Sequence, residues 1–261
     1  MDKTLPGPVR LTLDQALAQW QAWSPHPTDP PRLVEVLRGG RSNTSVRVGD
    51  GSSNWVVRID GLDAAGLGLN RDVEWQCLFA ASAAGLAPKP VYRDETLGVL
   101  VCEHLPGAVG EPSPLEDIAR LLRRIHALPP VGLRLDPIER AGRYLELAGA
   151  GEMPQELLAI CRRLDEQVET TLCHNDLLAA NRLTGPQGIV ALDWEYAAMG
   201  DPLFDLAVII EGEDLSESES ADLHRLWRGA APSSGERTRL KDQRAIYQLL
   251  AALWEGIPAP C

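Results

Sequence analysis

Positive charge is scarce in this chain. Its 261 residues carry 25 Lys and Arg against 37 Asp and Glu, a formal net charge of −12. So acidic a chain offers no basic face to a phosphate backbone, which argues against a nucleic-acid binder. The same charge is compatible with a cationic small molecule. Long apolar runs are missing as well. No stretch approaches the roughly 20 apolar residues that span a bilayer, and the opening "MDKTLPGPVRLTL" has no apolar core of a signal peptide. Neither membrane nor nucleic acid is therefore expected as a partner. Cysteine is sparse: Cys77, Cys102, Cys161, Cys173 and Cys261 are odd in number and lack CxxC spacing. That pattern excludes a disulfide frame or a zinc site and fits reduced thiols in a cytoplasm. No internal repeat or low-complexity tract breaks the chain.

Apolar residues make up 44% of the sequence, enough for a real core, and the length suits one large domain or two lobes. Residues 10 to 24 read as a first helix, with Leu13, Ala16, Leu17 and Trp20 on one face. After the Pro-rich break "SPHPTDPPR" the pattern alternates. Val46 and Val48 precede the turn signal "GDGSS", and Val56, Val57 and Ile59 follow it, as in antiparallel strands. Residues 70 to 84 read as a helix that stops at Gly85 and Pro88. "GVLVCEHL" suits a buried strand. In "SPLEDIARLLRRIHALPP", Ser113 is placed to cap, Pro114 suits the first helical position and Glu116 would complete a capping box. Ile118, Leu121, Leu122, Ile125 and Leu128 form its apolar stripe. Helices dominate from there, interrupted by two short strands in "NRLTGPQGIVALDW". The acidic run "EGEDLSESESADLH" reads as a solvated loop or a helix start. The fold class expected is α+β: a small antiparallel-sheet lobe followed by a helical lobe.

Two polar stretches stand out in the helical part, "LCHNDLLAANRL" and "IVALDWEYAAMGDPLFDLA". Asp176, Asn181 five residues later and Asp193 beyond a strand turn suit phosphoryl transfer. That reaction needs a carboxylate to accept or orient the proton of an attacking hydroxyl, the part given to Asp176. It also needs oxygen ligands for Mg²⁺, the part given to Asn181 and Asp193.

"HNDLLAAN" resembles the catalytic loop of the choline, thiamine and aminoglycoside kinase superfamily, usually written HxDxxxxN. "DWEYA" resembles the magnesium-binding segment of the choline and thiamine kinase-like branch. The resemblance covers roughly residues 33 to 255. It implies the two-lobed protein-kinase-like fold, with an N-lobe over 1–100, a connection over 101–110 and a helical C-lobe over 111–261. It also implies ATP and Mg²⁺ as cofactors. "LRGGRSNTSVRV" lies where the family has its phosphate loop, which brings in Gly39, Gly40, Ser42 and Asn43. Arg58 lies where protein kinases carry a strand Lys, and Glu74 on the next helix would pair with it. "LVCEHLPG", with Glu103 and Leu105, matches the connection where backbone groups would bind adenine. Taken singly these pieces read otherwise: the Gly-Gly segment as a bare hairpin turn, Arg58 as a surface strand residue, Glu74 as a helix-face charge. His174 is expected to brace the loop by hydrogen bonds, and Asp205 to support the loop or cap a helix.

The acceptor implied is a small alcohol: choline, ethanolamine or thiamine. Choline and thiamine are cations, and Trp194, Tyr196, Trp227 and Trp254 could give them aromatic faces, with Glu195 adjacent. Core packing is the competing role for these aromatics and for Tyr247. About fifty residues follow Asp205. That leaves little room for the extra helices of aminoglycoside kinases, so an aminoglycoside or amino sugar ranks lower as acceptor. A nucleotide-binding pseudokinase is the rival from another class; it would lack a catalytic group, whereas Asp176, Asn181 and Asp193 are all present.

Overall fold

The computed structural model describes residues 5–37, 42–61, 64–149, 151–164 and 170–258. The chain divides into two compact units, one of residues 1–64, 88–105 and 259–261, the other of residues 65–87 and 106–258.

The first unit is a five-stranded antiparallel sheet backed by a helix. The helix α1 (Gly7–Ala18) starts at a Pro-bearing first turn and runs into a short 3-10 turn at Trp20–Ala22. The strands are β1 (Arg32–Val36), β2 (Asn43–Gly49), β3 (Asn54–Asp60), β4 (Pro90–Asp94) and β5 (Val99–Glu103), in the order β1-β2-β3-β5-β4. Alternation sends Val46, Val48, Val57, Ile59, Val99 and Val101 to one face, where Leu13, Ala16 and Trp23 cover them. The turn between β2 and β3 is held by Asp50. Its carboxylate accepts the N–H groups of Ser52 and Ser53 at 2.9 and 2.8 Å, and that of Thr28 at 2.9 Å. Gly51 supplies the positive φ of +96°. The helix expected over 10 to 24 is thus shorter and lies earlier, although Leu13 and Ala16 are buried as the periodicity requires. The edge strand β4 had no clear sequence signal. It opens on Pro90, which cannot donate to a ladder and is tolerated because β4 has a neighbour on one side alone.

The second unit begins with α2 (Arg71–Ala83). Asn70 caps it by accepting from Val73 N–H at 3.0 Å, and Gly85 leaves it at φ +68°. Then come β6 (Ala108–Val109), α3 (Leu115–His126), α4 (Pro137–Ala148), α5 (Gln155–Arg163), β7 (Thr171–Cys173), the hairpin β8 (Arg182–Gly185) and β9 (Gly188–Ala191), and β10 (Ala198–Gly200). The unit closes with α6 (Pro202–Gly212), α7 (Glu217–Arg228) and α8 (Ser234–Glu255). Strands β6, β8 and β9 form one small sheet; β7 and β10 form another. The stripe of α3 is buried as expected through Ile118, Leu121, Leu122 and Ile125. Helix α6 is different, because Pro202 to Ile210 are all buried. A helix apolar all round must be enclosed by its neighbours.

The capping box expected at Ser113 does not form. The helix starts one residue later than that box requires, with Pro114 in the cap position and no side-chain cap, and the Ser113 hydroxyl turns back to the Glu111 carbonyl at 3.4 Å. Glu116 and Asp117 still favour the start of α3 through the helix dipole. Complete boxes occur instead at Ser216 with Glu219 and at Ser233 with Glu236. The acidic run is therefore a helix start. Leu122→Ala, which empties a fully buried position on α3, should cost about 2–4 kcal/mol, read as a lower urea midpoint for unfolding; an unchanged midpoint would show that α3 does not hold the unit together.

Candidate active site

The polar stretches sit on short loops anchored by buried elements. Strand β7 delivers residues 174–181, and the β8–β9 hairpin delivers residues 192–196. Asp205, fully buried on α6, holds the first loop. Its carboxylate accepts the backbone N–H of His174 at 3.0 Å and of Asn175 at 2.7 Å. It also accepts His126 Nε2 from α3 at 3.0 Å. Burial pushes the Asp205 carboxyl up, but the His126 hydrogen bond and the converging donors outweigh it, so the group lies below its ordinary value.

His126 is fixed from its other side. The indole N–H of Trp227 donates to its Nδ1 at 3.0 Å. An indole can only donate, so the ring proton of His126 sits on Nε2 and points at Asp205. Trp227 thereby serves the loop brace. His126, Cys173 and Asp205 place ligand-type atoms within 4.8 Å of one another. They do not suit a metal: His126 spends Nε2 on Asp205, Asp205 is saturated by N–H donors, and burial raises the Cys173 thiol well above its ordinary value.

His174 has the bracing role expected of it. Its Nε2 meets the Leu192 carbonyl at 2.9 Å, and its ring lies 4.9 Å from that of Trp194. Burial lowers its pKa, more than the Asp205 charge and the Leu192 carbonyl raise it. Asn175 takes a left-handed φ of +63°, and its amide donates to the Tyr196 carbonyl at 3.0 Å. These bonds tie the loop of Asp176 to the segment of Asp193.

Within that frame Asn181 is tethered to Asp176. Its Nδ2 donates to Asp176 Oδ2 at 2.7 Å and to the Asp176 carbonyl at 2.8 Å. With the nitrogen end engaged, the amide oxygen is left for another partner. Asp193 has a left-handed φ of +57°, a conformation that Asp tolerates better than most residues. Burial raises the Asp176 carboxyl well above its ordinary value. The charges of Asp193 and Glu195 add to this, against Arg140 and the Asn181 hydrogen bond.

Other expected site residues are placed as follows. Gly39 and Gly40 lie outside the described residues. Ser42 and Asn43 lead into β2, where the Ser42 carbonyl accepts Gly61 N–H at 2.9 Å. Arg58 is buried in β3, opposite Ser45 and Leu100, with its guanidinium 3.8 Å from Asp60. Glu103 ends β5, its N–H donating to the Lys89 carbonyl at 2.8 Å, and Leu105 follows, half-buried. In the second unit Glu74 is engaged by Arg71 at 2.7 Å, and the same guanidinium nitrogen lies 3.0 Å from Glu195. Trp194 is corrected: it is 1% exposed, and its N–H donates to the Ala191 carbonyl at 3.2 Å, so it packs the core and presents no face to a ligand. Tyr196 and Trp254 are half-buried; the Trp254 ring lies 5.5 Å from that of Tyr144. Sequence reasoning passed over His126, Asn175, Arg71 and Arg140. His126 ends the apolar stripe of α3 in "RRIHAL", and its position there was the available signal.

Residues 33–241 match the model of the phosphotransferase enzyme family, and the chain belongs to that family. It is 29% identical to protein LicA of Haemophilus influenzae over 203 residues, 70% of this chain and 59% of LicA. Against thiamine kinase of Escherichia coli O139:H28 it is 29% identical over 133 residues, 48% of this chain and 47% of that enzyme. The chain thus spans between about half and three fifths of the length of these relatives. Among solved structures, LicA in complex with AMP superposes with a TM-score of 0.75 at 20% identity, covering 94% of this chain and 89% of that one. That likeness establishes the kinase-like fold.

Asp205→Asn should unsettle the frame. One oxygen becomes a donor facing N–H donors, at a cost of about 3 kcal/mol. Because the native carboxyl lies below its ordinary value, its stabilisation is present above about pH 4 and lost as the pH falls through the native value. Urea unfolding across pH 3 to 7 tests both points. Wild type should lose more stability on acidification than the variant, and parallel curves would remove Asp205 from its bracing role.

Proposed function

We propose that this chain transfers the terminal phosphoryl group of ATP to the hydroxyl of a small metabolite, in the cytoplasm. The observation that carries this reading is the amide of Asn181, held by Asp176 through its nitrogen, which leaves its oxygen for another partner, in the same loop system as Asp193. Oxygen donors, one neutral and one anionic, fit the preference of Mg²⁺ for hard ligands. The charges of Asp193 and Glu195 raise the cost of ionising Asp176, a repulsion that a divalent cation would relieve. Asn181 and Asp193 would hold the ion, which when bound offsets the charge of the phosphates.

Asp176 is the proton acceptor in this reading. As the substrate oxygen attacks phosphorus and the bond to the ADP oxygen breaks, the hydroxyl proton passes to an Asp176 carboxylate oxygen. A carboxyl raised from its ordinary value is better matched to that transfer than an ordinary one. Gly39, Gly40, Ser42, Asn43, Arg58, Glu103 and Leu105 are assigned to the nucleotide, as is Glu74, which also meets Arg71, as the expected partner of Arg58. The resemblance of "DWEYA", with thiamine kinase among the relatives, orders the acceptors to assay: choline, ethanolamine and thiamine first, amino sugars and aminoglycosides after them.

Asp176→Asn should lower turnover by about 10²–10⁴-fold while leaving MgATP affinity near that of wild type. Removing one of the repelling carboxylates should also raise Tm, by about 2–4 °C for ~1 kcal/mol. A variant keeping more than about a third of wild-type kcat, where general-base help is worth orders of magnitude, would sink the assignment. Asp193→Ala should abolish the Mg²⁺ dependence of ATP affinity, measured by titration with and without the ion; an unchanged dependence would remove Asp193 from the metal site.

A further inference from the structure

A cation already occupies one aromatic face on the segment that follows Asp193. Arg140, in the first turn of α4, lays its guanidinium over the ring of Tyr196 at 4.8 Å from the centroid. The side chain is half-buried, and among the described residues it makes no ion pair. Tyr196 is not a loose ring. Its carbonyl is held by the side chain of Asn175, the neighbour of Asp176, and Tyr144 lies one turn beyond Arg140 on α4. Trp254 lies against Tyr144 at 5.5 Å. The charge of Arg140 also reaches Asp176. Arg140 therefore belongs to the surroundings of the reacting hydroxyl.

Quaternary ammonium groups are recognised by resting on such ring faces. Here the face of Tyr196 is covered by a guanidinium that stays charged at any working pH. A trimethylammonium group brought to the same ring would meet a like charge instead of the negative face of the ring. We infer that Arg140 determines the acceptor class, admitting an uncharged or anionic alcohol and turning away one that carries a quaternary ammonium. This rests on the phosphotransferase reading, and it moves choline down the order that the relatives suggest.

The test compares choline with its uncharged carbon isostere, in which a tert-butyl group replaces the trimethylammonium. The two share a shape and differ in charge. Binding is measured by calorimetry on the full chain, with MgATP affinity measured in parallel. Wild type should bind the isostere about tenfold more tightly than choline. Arg140→Met should reverse the preference without changing MgATP affinity, and Arg140→Lys, which keeps the charge, should retain the wild-type order. In turnover the change should appear in KM for choline relative to the isostere, any change in kcat through Asp176 being shared by the two substrates. Choline binding to wild type as tightly as the isostere, or a ratio that Arg140→Met leaves unmoved, would overturn the inference. Should Arg140→Met not fold, Arg140→Gln removes the charge while keeping a polar head, and the same ratio is read. Absence of MgATP binding in wild type would sink the phosphotransferase reading, while the choline-to-isostere ratio would still decide the role of Arg140.

Discussion

A buried carboxylate that refuses protonation organises the second unit. Asp205 is fully enclosed, where an unpaired negative charge would be prohibitively costly. It is stable there because His174, Asn175 and His126 all direct N–H groups at it. The donors need the carboxylate as much as it needs them. Two belong to the backbone of the loop before Asp176, and without Asp205 they would be buried and unsatisfied. The loop's path, including the left-handed turn at Asn175, follows from this mutual requirement. So does the tautomer of His126, which Trp227 selects from the far side.

The residues of the proposed chemistry are in the opposite state. The charges of Asp193 and Glu195 bear on Asp176, and two guanidinium groups lie against this cluster: Arg71 on Glu195, and Arg140 within reach of Asp176. The Asp205 carboxylate is satisfied by its donors, while ionisation of Asp176 is opposed by its surroundings. That division is expected where a fold holds catalytic groups in place against their mutual preference. Arg71 has a second effect. By bridging Glu74 and Glu195 it ties the start of α2 to the turn at Trp194–Tyr196 inside one unit.

The proposed reacting residues were legible because they are close in the chain. "HNDLLAAN" and "DWEYA" place chemistry-bearing side chains at fixed spacings, and a reader needs no fold to see them. The hairpin at residues 182–191 and the stripe of α3 were legible through periodicity and turn residues. What failed was local competition and distance. Ser113 had the spacing of a capping box, yet the helix took Pro114 as its boundary and left the box unmade. Trp194 was read as a possible ligand face because sequence cannot tell a core indole from an exposed one; its buried N–H on Ala191 settles that. Arg71 and Arg140 lie far in sequence from Glu195 and Tyr196, and nothing in their neighbourhoods marks them. Charge pairing across such separations is decided by tertiary structure alone.

Helix α6 carries a consequence for how function could be gained and lost. Its nine residues from Pro202 to Ile210 are buried on every side, and Asp205 is one of them. A helix of that kind has no stable partly covered form, since any uncovered face would expose apolar surface to water. The carboxylate that shapes the loop therefore reaches its place only when the helices around α6 have closed over it. Assembly of the core and assembly of the reaction centre are one event. A chain caught midway in folding would hold no half-formed loop able to mishandle a nucleotide, and denaturation short of opening α6 would leave the loop intact.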